Sequence, residues 1–462
     1  MCEWLTYLDA CGTTFRSGVN MSHNTLSRVV WRVSLPIIFV EATETLDHLI
    51  DTIFLARVGV TELGAIAVAD SILFLFLVAP LALVDAIQIL TARRAGQRRP
   101  EAVGAAFNQG FVVVLLVCLA STIALKLFSP VVAAWFVESD AVGAAVNGYL
   151  QIDAYSIALT GATFAYGALL ISLGKTRVLV PATIILVASD VVLNYVFIFG
   201  NFGYPALGMR GAAVGSVGAE LLTVIFLTVY VWRRLDRRYG LFHFHKFERR
   251  VPILWGRLSA PIAVQRFLED LRWFLFFLIF ERVSAQALAI ANIVYTCYIV
   301  FCVPMMGFSE TTCSMVSRFV GKNREHWIGG VLRKAIGGAI IATAPFIVVA
   351  LLAPQWLLAV FSAEPGLLEE TSASLRVVAL AMLMAIPGHM WFVAVLGTGD
   401  TAASLGIEFV LTLTMLGITY FSAIHLGWPV AFAWVSLPIS WLIGLTISYG
   451  WVKSGFWKRL EI

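Results

Sequence analysis

The chain has 462 residues, 60% of them hydrophobic and only 13% charged, with a formal net charge of +4. A soluble protein carries about a quarter charged residues, so the composition excludes a soluble globular domain and gives no electrostatic reason for a nucleic-acid partner. Apolar runs of about 20 residues, enough to cross a bilayer as helix, recur from end to end. Barrel strands would be half as long and alternating, so the chain reads as an all-α integral membrane protein.

Residues 1–32 read as a cytoplasmic tail. They contain no apolar run resembling a secretory leader, and Met21, opening "MSHNTLSRVVWRVSLP", offers an alternative start. Twelve spans are expected at 33–56, 63–92, 103–128, 143–173, 180–200, 211–232, 257–280, 285–317, 327–352, 373–397, 401–424 and 429–451. Every second loop is basic: "RRAGQRR" (93–99), "GKTR" (174–177), "RRLDRRYGLFHFHKFERR" (233–250), "RFVGKNR" (318–324) and the tail "VKSGFWKRL" (452–460). The loops between them, such as "FVESDAV" (136–142) and "FSAEPGLLEE" (361–370), are acidic or neutral. Arg57, Arg210 and Arg282 are the exceptions. The positive-inside rule then places both termini in the cytoplasm, in the plasma (inner) membrane. The six cysteines show no CxxC spacing, and Cys118, Cys297, Cys302 and Cys313 lie in apolar segments, so they read as small buried hydrophobes.

The basic connector divides the chain into an N-lobe (33–232), the connector itself (233–256), a C-lobe (257–452) and a short cytoplasmic tail (453–462). The connector reads as a solvated linker, or else as a surface helix on anionic lipid. The lobes repeat. "LPIIFVEATE" (35–44) matches "APIAVQRFLE" (260–269), with Pro36 and Pro261, Glu44 and Glu269, Arg57 and Arg282, Asp85 and Glu310, Gly96 and Gly321, and Gly174 and Gly399 all 225 residues apart. Six spans per repeat preserve orientation. The expected architecture is therefore two six-helix bundles related by a pseudo-two-fold along the membrane normal, as in secondary transporters.

Three stretches resemble the MATE family (multidrug and toxic compound extrusion), in its NorM/DinF-like branches. "LPIIFVEATETLDHLIDTIFLARVG" resembles the family's first helix. "SLGKTRVLVPATIILVASDVVLNYVFIFGNFGYPALGMRGAAVGS" resembles its block over helices 5 and 6, and "VLGTGDT" (395–401) resembles the matching turn of the second half. The resemblance implies twelve helices in two bundles forming a V, and efflux coupled to entry of protons or sodium.

The first span carries "EATETLDHLIDT" (41–52). At 100° per residue, Glu41, Glu44, Thr45, His48, Asp51 and Thr52 fall in one arc with Asp47 at its edge. Each ionised acid at the bilayer centre costs about 2.5–3.5 kcal/mol on the insertion scale. Crowding them raises and couples their proton affinities, which suits a proton-coupled carrier. The alternative is a buried polar network bracing the helix, which fits Glu41, Asp47 and His48 as well as the functional reading does. A metal site on His48 with Glu44, Asp47 or Asp51 draws on one helix only. Asp51 matches the family's helix 1 aspartate. In the fifth span, Asp190 and Asn194 lie one turn apart and can face it, although the family usually has Asn at the first of these positions. The expected ion-coupling set is Asp51, Glu44, Asp190 and Asn194, with Glu269 of the seventh span as the C-lobe candidate.

Glu269 is flanked by Arg266, Asp270 and Arg272, and Arg266 can pair with Glu269 or Asp270 at helical spacing. The NorM-type aspartate of helix 10 has no match in "LMAIPGHMWFVAVLG" (383–397), which offers only His389. This weakens a sodium site in the C-lobe and favours protons in the N-lobe. Asp85 and Glu310 read either as acids lining a cationic substrate's path or as hydrogen-bonding groups near the basic loops. Glu41, Asp47, His48 and Arg266 complete the substrate-path candidates.

The expected function is antiport by alternating access: export of organic, cationic compounds in exchange for H+, with Na+ as the other coupling ion. No enzymatic constellation, cofactor or metal motif is expected, and the partners are a small-molecule substrate and the lipid bilayer, with the chain a monomer. A lipid-linked precursor flippase is the alternative. It needs cavity cations for a diphosphate, for which only Arg266 and Arg272 offer themselves. A membrane-embedded enzyme is the remaining reading and lacks any nucleophile–base pair.

Overall fold

The computed structural model describes residues 23–136, 139–243, 251–359 and 365–459. Apolar chain in lipid must hydrogen-bond to itself, and among the described residues the regular elements are all helices. The first half contains α1 (His23–Val58), α2 (Val60–Gly96), α3 (Pro100–Phe136), α4 (Asp140–Asp153 and Ser156–Ser172), α5 (Leu179–Phe199) and α6 (Met209–Arg234). The second contains α7 (Val251–Val283), α8 (Ala285–Gly321), α9 (Ile328–Leu352), α10 (Pro365–Gly397), α11 (Thr401–Tyr420) and α12 (Ser436–Ser454). The two pieces of α4 meet at a 50° bend after Asp153, where the Thr122 hydroxyl donates to the freed Ala154 carbonyl at 2.9 Å.

Among the described residues, nine helices are long and apolar enough to cross a membrane, or ten with α4 counted as one span. α1 and α7 are not in that set. Each carries four charged residues mid-helix: Glu41, Glu44, Asp47 and Asp51, against Arg266, Glu269, Asp270 and Arg272. Each also carries an internal proline, Pro36 and Pro261, which a membrane helix tolerates where neighbours satisfy the freed backbone groups.

Each half has its own apolar core, and the two exchange their first turns. Leu26 and Val30 of α1 are fully buried in the core of the second half. Trp255 and Leu258 of α7 are buried in the core of the first. Val30 and Trp255 are 225 residues apart, so the exchange obeys the repeat. It also moves two expected boundaries. Helix already runs through residues 23–32 and 251–256, ahead of the spans expected from 33 and 257, because buried side chains there are core rather than tail or linker. The start of the connector is docked rather than solvated. Asn108 of α3 donates to the Gly240 and His243 carbonyls at 2.9 and 3.2 Å and accepts from the Phe242 amide at 3.0 Å. Residues 244–250 of the connector, the terminal residues 1–22 with Met21, Cys2 and Cys11, and residues 460–462 lie outside the described residues. Cys118, Cys297, Cys302 and Cys313 are buried free thiols.

The halves close on each other along the side of the basic loops. A Cβ on Gly96 would strike the Arg318 carbonyl, and a Cβ on Gly321 would strike the Arg93 carbonyl, a reciprocal contact at the 225-residue offset. Only glycine lets the two backbones approach this closely. Ser34 donates to Thr311 at 2.8 Å, Ser317 to the Ile89 carbonyl at 2.7 Å, and Arg93 to the Thr398 carbonyl at 3.3 Å. Among the described residues, the hydrogen bonds between the halves all lie in this half of the molecule.

Candidate functional site

α1 divides its faces by chemistry. Leu46, Leu49 and Ile53 are more than half exposed on the outer face, while Glu44, Asp47 and Asp51 recur every three or four residues on the inner one. The arc differs from the expected one in its setting. His48 and Thr52 are exposed, whereas Asp47, expected at the edge, is turned inward with Oδ1 buried and without a partner. Thr45 and Thr52 each bond back to a carbonyl one turn earlier, Glu41 and His48, at 2.8 Å, so they serve the helix rather than the site.

Across from α1, α5 presents Asp190 and Asn194 at 2% and 0% exposure. Asn194 Nδ2 donates to Asp51 Oδ1 at 2.8 Å and to Asp190 Oδ2 at 2.6 Å. Asp51 and Asp190 also lie close to each other, and Ser216 of α6 is near Asp190. Two carboxylates cannot hydrogen-bond, since both only accept. Two such groups side by side can share one proton, as acid dyads do.

The cluster extends further than the sequence reading placed it. Asp153 is 3% exposed at the α4 bend, with Tyr149 buried one turn before it. Glu220 of α6 accepts from Thr160 and Thr163 of α4, each at 3.0 Å. The charges that act on Glu44, Asp47, Asp51, Asp153 and Glu220 are other carboxylates: Glu41, Asp47, Asp70, Asp190 and Glu220. Sequence reasoning passed over Asp153 and Glu220 because each is a single acid in an apolar helix. That isolation is itself the signal, since a lone acid inside a membrane helix needs a partner or a role.

The second half treats its acids differently. Arg272 of α7 and Glu408 of α11 form an ion pair in which both side chains are buried. Glu269, 47% exposed, sits 3.8 Å from Arg272 on the same helix. Glu408 was not among the expected residues. His389 lies against the Trp441 ring, with centroids 5.3 Å apart. Arg266 does not pair along its own helix with Glu269 or Asp270. Its Nε and Nη2 both reach Asp85 Oδ2 on α2, at 3.0 and 2.7 Å. Asp85 is the less exposed acid, at 18% against 47% for Glu269, so the charge-assisted bond there is the stronger. Its repeat mate Glu310 accepts from Gln88 Nε2 at 2.8 Å. Asp85 and Glu310 therefore belong to the contact between the halves, one held by an arginine and the other by an amide. Glu41 is the repeat mate of Arg266 and lies in the field of both Glu310 and Arg266. Among the described residues, no group of three or more His, Cys, Asp or Glu side chains is arranged to hold a metal ion.

Two repeated six-helix halves, a closed contact on the basic-loop side and a carboxyl cluster inside one half define a multi-pass membrane protein of the repeated-bundle class. The model of the MatE family matches residues 36–196 and 261–421, two segments set apart by the same 225 residues as the repeat. The chain belongs to the MatE family. A probable multidrug resistance protein NorM of Thermotoga maritima is 23% identical over 309 residues, 64% of each chain. A NorM of Synechocystis sp. is 24% identical over 65% of each, so these matches span just under two thirds of either relative's length. An uncharacterized transporter of Bacillus subtilis, YisQ, is 23% identical over 88% of this chain and 90% of its own. Among solved structures, a MATE crystal structure in the straight conformation superposes with a TM-score of 0.86 over 94% of this chain and 97% of its own, at 16% identity. A transporter of the MOP superfamily from Pyrococcus furiosus, described as having a binding pocket of reversed polarity, superposes with 0.85 at 16% identity. These likenesses establish the shared twelve-helix, two-bundle fold.

Proposed function

We propose that this chain is a secondary antiporter that exports organic cations in exchange for protons. The observation that carries the reading is the Asp51–Asp190 pair, bridged by Asn194 in a cluster with Glu44, Asp47, Asp153 and Glu220 that has no arginine or lysine among the charges acting on it. Groups set this way exchange a proton for a cation: a cationic substrate entering the first half displaces the shared proton, and a returning proton displaces the substrate. Sodium is the less favoured coupling ion. In the second half the buried Glu408 is already neutralised by Arg272, and a built-in guanidinium leaves little charge there for a free cation.

Closure along the basic-loop side corresponds to an outward-facing state if both termini are cytoplasmic, as the charge of the loops requires. The membrane is then the plasma (inner) membrane, and the working unit is the monomer, which contains both halves of the pseudo-two-fold. The multidrug names of the NorM relatives support a xenobiotic substrate. The flippase reading loses its support, because Arg266 is held by Asp85 and Arg272 by Glu408.

The test is efflux of ethidium from cells lacking their own pumps. Export should stop with a protonophore, persist without sodium and be lost in Asp51→Asn while the protein still reaches the membrane. Export unaffected by Asp51→Asn would overturn the reading.

A further inference from the structure

Glu220 has no part in the exchange described above, yet the acids of the first half converge on it. Both of its carboxylate oxygens are held, Oε1 by the Thr160 hydroxyl and Oε2 by the Thr163 hydroxyl, each at 3.0 Å. The two threonines lie one turn apart on α4, beyond the bend that follows Asp153. The groups facing Glu220 come from each helix packed around it. They are Glu44 and Asp47 on α1, Asp153, Thr160 and Thr163 on α4, and Asp190 on α5. Four of these are carboxyls and two are hydroxyls, and none is a cation. Glu220 thus lies in the electrostatic field of carboxyls on three helices, Asp190 of the proposed proton-sharing pair among them.

Two opposing influences act at this position. Burial and the neighbouring carboxyls disfavour the carboxylate, while hydroxyls that donate to both oxygens favour it. A group between such opposing influences changes its protonation when the charge around it changes. A cation arriving beside Asp51 and Asp190 tips it towards the carboxylate, and the substrate's departure tips it back.

We infer that Glu220 is a second proton-carrying residue of the transport cycle, giving up one proton to water when a cationic substrate occupies the first half and regaining one when the substrate leaves. The inference rests on the proton-antiport reading, and it adds one proton per cycle to whatever the Asp51–Asp190 pair carries. The threonines are positioning residues that set the pH at which Glu220 works.

The experiment measures protons moved per ethidium in proteoliposomes, from the pH gradient that just balances an imposed ethidium gradient. Glu220→Gln keeps an acceptor for the threonine hydroxyls and should still transport, with the ratio lowered by one. An unchanged ratio and pH profile in Glu220→Gln would overturn the inference. Thr160→Val with Thr163→Val removes the donors that favour the carboxylate, so the ratio should hold while the pH of half-maximal transport moves upward. An unmoved profile would assign Glu220 a structural role, and this arm decides the matter if Glu220→Gln fails to fold. If the wild-type protein moves no protons, the antiport reading fails separately. Infrared difference spectra between acidic and alkaline pH then show whether Glu220 titrates at all: loss of one titrating carboxylic-acid band in Glu220→Gln shows that it exchanges a proton with water although transport does not use it, and coincident wild-type and variant spectra refute the inference outright.

Discussion

Replacing Arg272 with methionine tests whether the second half neutralises its own acids. Arg272 and Glu408 are 6% and 2% exposed and paired across α7 and α11, so Arg272→Met leaves a buried carboxylate without its counter-charge. Removing one partner of a buried pair costs about 3–5 kcal/mol, whereas replacing both with apolar side chains of similar volume is about neutral. For a folding unit the size of one half, about 2–4 °C of melting temperature accompany each kcal/mol. Arg272→Met should therefore lower the melting temperature of the purified protein by about 6–20 °C, and Arg272→Met with Glu408→Leu should recover most of the loss. The assay is thermal unfolding in detergent, followed by the protein's own tryptophan fluorescence. A single variant as stable as wild type, or a double variant no better than the single, would refute the argument that this pair is a closed structural unit.

Glu269→Gln should be mild by comparison. Its contact with Arg272 is 3.8 Å long and its side chain is 47% exposed, so the stability lost should stay below about 1 kcal/mol and ethidium export should persist; loss of export would return the second half to the coupling scheme. Asn194→Leu removes the amide that bridges Asp51 and Asp190 and should reduce proton-driven export at least about tenfold, the equivalent of one charge-assisted hydrogen bond, as read by initial efflux rates. Ser34→Cys with Thr311→Cys places two thiols where the hydroxyls stand 2.8 Å apart; oxidation should cross-link the halves and stop transport, and reduction should restore it, whereas transport through the oxidised protein would refute closure and reopening on that side. Lys322 lies just past the end of α8, where burial and the charges of Arg318, Arg98 and Arg324 push its ammonium down to about 8. A lowered lysine value means the unfolded chain holds more protons between that pH and 10.5, so this group's contribution to stability rises with pH across the window. Lys322 should also acylate at about pH 8 well ahead of the exposed Lys453, as measured by peptide mass spectrometry; equal labelling would contradict the shift.

The sequence made the architecture legible because lipid leaves a hydrophobic chain few alternatives and because the repeat writes its own register. Pro36 with Pro261 and Gly96 with Gly321 marked equivalent points that the folded halves use equivalently. The inner face of α1 and its partners Asp190 and Asn194 were legible from helical spacing. Two things were not. Ion pairs between elements distant in sequence cannot be read from periodicity, so Arg266 pointed to acids on its own helix rather than to Asp85, 181 residues earlier. Single acids in apolar helices form no pattern, so Glu220, Asp153 and Glu408 acquired meaning only when packing brought them to others. The exchange of first turns between the halves was equally hidden, because Val30 and Trp255 lie among polar and basic residues that read as tail and linker.

The central claim is that the proton exchanged for substrate resides on the Asp51–Asp190 pair, and the most direct measurement is substrate-driven proton movement in proteoliposomes. A pH-sensitive dye is enclosed, ethidium is the substrate, and wild type, Asp51→Asn and Glu269→Gln are compared with and without sodium. Proton flux that ignores sodium, survives Glu269→Gln and vanishes in Asp51→Asn is the predicted result. Flux that requires sodium, or that survives Asp51→Asn and fails in Glu269→Gln, would contradict the account and move the coupling site to the second half.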